Sequence, residues 1–157
     1  MSAPIIGSII PDAELLATGA KTVKLANYRG KYLVLYFYPK DNTPGCTQES
    51  QAFRDKAEQF QALNAVILGV SRDSVRSHES FKSKQELPFD LLSDGDETLC
   101  RLFDVIKMKN MYGKQTLGIE RSTFLIDPTG KLLQEWRKVK VKDHADEVLQ
   151  ALRAVST

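Results

Sequence analysis

Apolar positions recur along this chain with two different periods. Tyr32-Leu33-Val34-Leu35-Tyr36-Phe37-Tyr38 is an unbroken apolar and aromatic run, and Ala65-Val66-Ile67-Leu68-Gly69-Val70 is a second. Runs of this length suit strands covered on both faces. Between them Phe53, Ala57, Phe60 and Leu63 repeat at spacings of three and four, which predicts a helix with one apolar face. Asp73 or Ser74 begins another helix, running to about Gln85. Leu91-Leu92-Ser93 reads as a short strand, after which Asp94 or Asp96 caps a short helix containing Leu99, Cys100, Leu102 and Phe103. Residues 104–118 are read as loop. The segments Arg121 to Ile126 and Lys131 to Arg137 flank the turn Asp127-Pro128-Thr129-Gly130 and predict a hairpin. A final helix, about Asp143 to Ala154, points Val148, Leu149 and Leu152 inward. The first 30 residues form a hairpin-like lead-in that turns at Thr18-Gly19-Ala20-Lys21.

The order of these elements predicts an α/β sandwich, a central mixed β-sheet flanked by helices with an N-terminal extension. No repeat or linker interrupts it, so residues 1–157 are expected to form a single domain. A chain of 157 residues can bury a core without disulfide staples. Hydrophobic residues at 42% and charged residues at 27% fit a soluble globule. A net charge of +2, spread along the chain, gives no reason to expect nucleic acid or an anionic membrane as partner. The densest basic stretch, Lys138-Val139-Lys140-Val141-Lys142, alternates as the wet face of an extended edge segment. No secretory signal is visible at Met1 to Gly7, and no apolar run approaches membrane-span length. With only Cys46 and Cys100, the chain is expected in a reducing compartment, the cytoplasm. His78 and His144 are expected to be solvated, Trp136 to pack on the hairpin, and Lys107–Lys114 to form a basic surface loop, with a place at the pocket entrance as the alternative. The spacing of cysteines and histidines gives no zinc site, and no metal or other cofactor is expected.

The chemically informative segment is Pro39-Lys40-Asp41-Asn42-Thr43-Pro44-Gly45-Cys46. Thr43 suits a helix N-cap, and Pro44 suits the first helical position, where its missing N–H costs nothing. Cys46 then falls in the first turn, where unpaired amides and the positive end of the helix dipole favour a thiolate. Helix geometry by itself favours a small buried hydrophobe at Cys46 instead.

Pro39-x-x-x-Thr43-x-x-Cys46 resembles the active-site signature of peroxiredoxins. The longer string Tyr36-Phe37-Tyr38-Pro39-Lys40-Asp41-Asn42-Thr43-Pro44-Gly45-Cys46-Thr47 is similar to the bacterioferritin-comigratory-protein, or Q, subfamily. Leu92-Ser93-Asp94 and Arg121-Ser122-Thr123-Phe124-Leu125-Ile126-Asp127 extend the likeness along the chain. The resemblance implies a thioredoxin-like fold, a monomer, and a thiol peroxidase for hydrogen peroxide and organic hydroperoxides. It implies that Cys46 attacks the peroxide, with the Thr43 hydroxyl bonded to thiolate and peroxide. Arg121 would keep the sulfur ionised, Pro39 would shield the pocket, and Glu49 would orient the arginine. The hairpin context of Arg121, taken without the resemblance, favours a surface ion pair instead.

Many members of the subfamily carry a second, resolving cysteine five residues after the first, where this chain has Gln51. Others carry it in the next helix, within the stretch that reads here Ser80-Phe81-Lys82-Ser83. Neither position is a cysteine here, and Cys100 reads as a core residue. The expectation is therefore a one-cysteine cycle, with the sulfenic acid reduced by an external thiol such as thioredoxin or glutaredoxin with glutathione. A redox sensor or chaperone-like protein using the same cysteine is the alternative. A disulfide reductase is disfavoured by the lack of a Cys-x-x-Cys pair.

Overall fold

The computed structural model describes residues 3–156. The lead-in is a hairpin of β1 (Glu14–Ala17) and β2 (Lys21–Lys24), followed by a 3-10 turn at Leu25–Tyr28. Then come β3 (Tyr32–Phe37), α1 (Pro44–Asp55), α2 (Ala57–Ala62), β4 (Ala65–Ser71), α3 (Val75–Gln85), β5 (Asp90–Ser93) and α4 (Thr98–Leu102). The chain continues through β6 (Ile106–Met111), β7 (Lys114–Ile119), β8 (Ser122–Ile126), β9 (Leu132–Trp136) and α5 (His144–Val155). Seven strands form one sheet in the order β2-β1-β5-β4-β3-β8-β9. β3, β4 and β5 are parallel, because the helices between them carry the chain back across the sheet. The predicted hairpins add antiparallel strands at both edges, giving the mixed sheet.

Strand alternation divides the core in two. Leu33, Leu35 and Phe37 of β3, with Leu68, Val70, Leu92, Phe124 and Ile126, face the lead-in and α4. Val34, Tyr36 and Tyr38, with Ile67, Leu91 and Leu125, face Phe53, Phe60, Phe81, Val148, Leu149 and Leu152 from the other helices. Cys46 belongs to this second layer and Cys100 to the first, so the sheet separates the two thiols. Gly69 makes the second layer possible. A Cβ there would lie 2.7 Å from Leu91 Cδ2 and 2.8 Å from Tyr36 Cζ, so only hydrogen lets the Tyr36 ring cross β4. The Tyr36 hydroxyl then meets Ser50 Oγ at 2.9 Å, which ties the sheet to α1 one turn beyond Cys46.

Several expectations are corrected. The helix read through Phe53 and Phe60 breaks at Lys56, whose φ and ψ are −108° and 4°. The break still brings both rings into the core, 6.0 Å apart. The stretch 104–118, read as loop, instead forms most of the β6–β7 hairpin, a two-stranded ribbon outside the main sheet that ends at Ile119. Its polar strands carry little hydrophobic alternation, but Tyr112 and Gly113 have φ of 54° and 78°, the left-handed pair of a tight hairpin turn. The segment 137–142 keeps its alternating exposure without joining a strand. His78 and His144 are buried rather than solvated, each with both ring nitrogens bonded. Trp136 does pack, edge to face with His144 at 5.8 Å.

Candidate active site

β3 delivers the site. Its last residues lead into the turn 39–43, and α1 starts at Pro44 with Thr43 as N-cap in extended conformation, φ −88° and ψ 152°. The first bond of the helical ladder runs from Thr47 N–H to Thr43 O at 2.9 Å. The amides of Gly45 and Cys46 precede that ladder and point their positive ends toward the N-terminus. Cys46 lies here, 1% exposed, with Glu49 three residues on and one turn away on the same side.

Arg121 enters from the residue just before β8. Its Nη2 donates to Cys46 Sγ at 3.4 Å and its Nη1 donates to Glu49 Oε1 at 2.7 Å. One guanidinium fork therefore holds sulfur and carboxylate together, a geometry that a lysine could not supply. Gly45 leaves room for it, since a Cβ there would stand 3.1 Å from Arg121 Nη2. The backbone carbonyl of Arg121 accepts from Val139 N–H at 3.0 Å, so the segment after β9 fixes the arginine from behind.

The electrostatics follow from burial. Desolvation opposes the Arg121 charge, yet Glu49 and Cys46 outweigh it and raise the guanidinium above its ordinary value. Burial pushes the Glu49 carboxyl up to about 7, against the opposing pull of Arg121. Its Oε2 is buried with no hydrogen-bond partner among the described residues. Lys109 of β6 feels the same site. Burial and the Arg121 charge lower its ammonium below the ordinary lysine value, and Cys46 pulls it back up. The hairpin that reads in sequence as a surface loop thus borders the site.

The raised carboxyl has a measurable consequence. A carboxyl at about 7 when folded and near 4.5 otherwise favours the native state fully below pH 4.5, and that contribution is lost as pH rises through 7. Glu49→Gln is expected to remove this dependence. Relative to the variant, the wild type should lose stability on the order of 3 kcal/mol between pH 4.5 and 7. Urea midpoints at pH 5 and pH 8 for both proteins check it, and parallel midpoints would show that Glu49 is not the group responsible.

The structure brings together three of the residues read from sequence, Cys46, Glu49 and Arg121. Pro39 is half-buried in the turn leading to them. Thr43 differs from expectation: its side chain makes no cap bond, and its hydroxyl donates to Lys40 O at 2.8 Å. The hydroxyl hydrogen is therefore spent on the turn rather than on Sγ, which leaves the oxygen as an acceptor. The sequence reading missed Asp41, which lies in the turn, and Ser77 and His78, which lie behind it. The available signal was the spacing of His78 and Phe81, three apart on one helix face.

Cys100 is fully buried, and desolvation, with Asp94 adding to it, pushes its thiol far above the ordinary range. Asp94 accepts from the Leu99 and Cys100 amides at 3.0 and 2.7 Å, so it caps α4 as the sequence indicates.

Residues 6–135 match the AhpC/TSA family. Peroxiredoxin Bcp of Bacillus subtilis is 58% identical over 151 residues, 96% of each chain. Peroxiredoxin Bcp of Xanthomonas campestris is 59% identical over 143 residues, 91% of this chain and 89% of that one. Among solved structures, Xanthomonas campestris Peroxiredoxin Q superposes with a TM-score of 0.88 at 57% identity, covering 92% of both chains. A cysteine variant of Xylella fastidiosa PrxQ superposes with a TM-score of 0.94 at 48% identity over the whole of both. The thioredoxin-like fold is thus shared. Carrying the sequence and fold of these enzymes nearly from end to end, the chain belongs to the AhpC/TSA family and is a peroxiredoxin of the Bcp/PrxQ type.

Proposed function

We propose that Cys46 reduces hydrogen peroxide and alkyl hydroperoxides in a one-cysteine cycle closed by an external thiol. The observation that carries this reading is the Arg121 fork, which puts a permanent cation 3.4 Å from a sulfur at a helix N-terminus. The Cys46 thiolate attacks one peroxide oxygen in line with the O–O bond. An S–O bond forms, the O–O bond breaks, and the departing alkoxide takes a proton to leave as alcohol or water. Negative charge spreads from sulfur over both oxygens, where Arg121 and the free amides of α1 stabilise it without reorganising. Thr43 Oγ1 accepts from the peroxide hydroxyl, and Pro39 limits access of water. Glu49 acts through Arg121, holding its plane. A Xanthomonas campestris bacterioferritin comigratory protein, 56% identical to this chain, is described by its alkyl peroxide reduction activity, which supports the substrate class.

The sulfenic acid is then reduced in two steps. An external thiol displaces water to give a mixed disulfide, and a second thiol releases the Cys46 thiolate. Thioredoxin or glutaredoxin with glutathione has the chemistry required. Gln51 and the stretch Ser80-Phe81-Lys82-Ser83 stand where the resemblance places a partner cysteine, and Cys100 lies in the opposite layer of the core. A monomer in the cytoplasm is consistent with this cycle.

One equivalent of hydrogen peroxide, followed by intact mass and a sulfenic-acid trap, tests it. Wild type and Cys100→Ser should each trap one sulfenic acid, and neither should lose two hydrogens. A monomer that loses two hydrogens would make Cys100 a resolving cysteine. Oxidation without turnover on added thiol would favour the sensor reading.

A further inference from the structure

His78 has no part in the chemistry above, yet it is completely buried beside the turn that carries Thr43 and Cys46. Its imidazole joins three elements. Nε2 lies 2.9 Å from the Leu92 carbonyl on β5, which can only accept, so Nε2 carries a hydrogen. Nδ1 lies 2.7 Å from Asp41 Oδ2, in the turn between β3 and α1. Asp41 is 4% exposed and held on every side. Tyr38 Oη donates to its Oδ1 at 2.6 Å, Ser77 Oγ donates to its Oδ2 at 2.8 Å, and its own N–H donates to Asp73 Oδ2 at 2.9 Å. Ser71 Oγ also donates to Asp73 Oδ2, at 2.5 Å. Asp41, Asp73 and His78 present ligand atoms within 4.8 Å of one another, the spacing of a metal site. Each of those atoms already has a protein partner, so the cluster is a clasp of hydrogen bonds.

What the clasp holds is the turn 39–43. Asn42 within it has φ 64°, a left-handed conformation that costs a non-glycine residue free energy and persists only where the surroundings impose it. Asp41 is its neighbour, two residues before Thr43 and five before Cys46. Between Tyr38 and the start of α1, side-chain anchoring to the rest of the molecule comes through this carboxylate.

We propose that His78 is a positioning residue of the peroxidase reaction: through Asp41 it fixes the 39–43 turn, and so the N-terminus of α1, in the shape that sets Cys46 against Arg121. The proposal rests on the peroxidase reading. It also separates the two halves of the cycle. A small peroxide can react with Cys46 in place, whereas a thiol reductant must reach a sulfur that is 1% exposed and needs the start of α1 to open. Loosening the clasp therefore slows oxidation and spares or speeds reduction.

Rapid mixing with hydrogen peroxide measures the rate of sulfenic acid formation, and mixing the oxidised protein with dithiothreitol measures its reduction. In His78→Leu, oxidation should slow about 10- to 100-fold, as expected when a reacting group is misplaced by a fraction of a residue's width. Reduction should be unchanged or faster, and His78→Gln, which can still donate, should recover part of the oxidation rate. Phe81→Leu is the stability control. Phe81 sits on the same helix face, its ring 6.2 Å from that of Tyr38, without a bond to Asp41. It should lose stability while keeping both rates. Should His78→Leu fail to fold, Tyr38→Phe removes only one donor to Asp41 and should slow oxidation several-fold with the same asymmetry. Wild-type oxidation rates in these variants, or equal slowing of both half-reactions in His78→Leu and Phe81→Leu, would overturn the proposal alone. No oxidation of the wild type would overturn the peroxidase reading, and the proposal with it.

Discussion

Cys46→Ser is expected to abolish peroxide consumption, with a loss of roughly 10⁴-fold or more in kcat/KM. A hydroxyl at this position stays protonated at neutral pH: its side-chain partner is the Arg121 cation, 3.4 Å from the sulfur, and the Glu49 carboxylate is engaged with that same arginine. An arginine can stabilise an anion but cannot create one from an alcohol, so on the proposed mechanism serine stays inert. The fold should survive. Serine is smaller than cysteine, the site is at a helix terminus, and the oxygen can accept from the same Arg121 Nη2. A stopped-flow assay of peroxide loss, with urea unfolding alongside, separates the two effects. Residual activity within tenfold of wild type would move the reaction to Cys100, against its burial and against the layer it occupies.

Arg121→Met should cost about 10²- to 10³-fold in the oxidation step, the usual worth of one preorganised donor to a developing anion. The variant also strands Glu49. Arg121 pulls down a carboxyl that burial otherwise raises, so without it the carboxyl moves above 7 and is held as the neutral acid. A group raised when folded stabilises at low pH and loses that contribution as pH climbs through its folded value. Arg121→Met should therefore be stable at pH 6 and weaken toward pH 9. Adding Glu49→Gln should restore stability at high pH but leave oxidation slow. Arg121→Lys should fall between, because one ammonium cannot bridge sulfur and carboxylate as the fork does. A double variant that regained the oxidation rate would show that the arginine serves only to neutralise Glu49.

Both expectations depend on how Cys46 and Arg121 meet, and here sequence and structure divided the work. The two apolar runs at 32–38 and 65–70 have no polar position to spare for solvent, so they could only be inner strands. The helices at 75–85 and 143–154 followed from their spacing and caps. Pro44 and Thr43 marked the start of α1, and with it the place of Cys46 at a helix N-terminus. These features are legible because each is local: a strand's pleat, a helix's period and a proline's missing N–H act within a few residues.

The β6–β7 hairpin was not legible for the same reason. Its strands bury little, the one alternation, Ile106-Lys107-Met108-Lys109, spans only four residues, and Tyr112-Gly113 is a less familiar pair at a tight turn. His78 and His144 were misjudged because a histidine on a polar stretch looks solvated until its partners are known. Asp41 and Leu92 reach His78 from the turn and from β5, and Thr123 reaches His144 across 21 residues.

By itself, then, the sequence determined the strands, most helices, the signature segment and the absence of a second cysteine at either expected position. The resemblance implied that Arg121 and Glu49 meet Cys46, but only the tertiary structure decided the fork that joins them across 75 and 72 residues, that Thr43 spends its hydroxyl on Lys40, and that the sheet divides the two thiols. Backbone geometry and periodicity are written in neighbouring residues. The direction of a hydrogen bond, the depth of a carboxylate and the charge beside a sulfur depend on segments that meet only when the sheet closes.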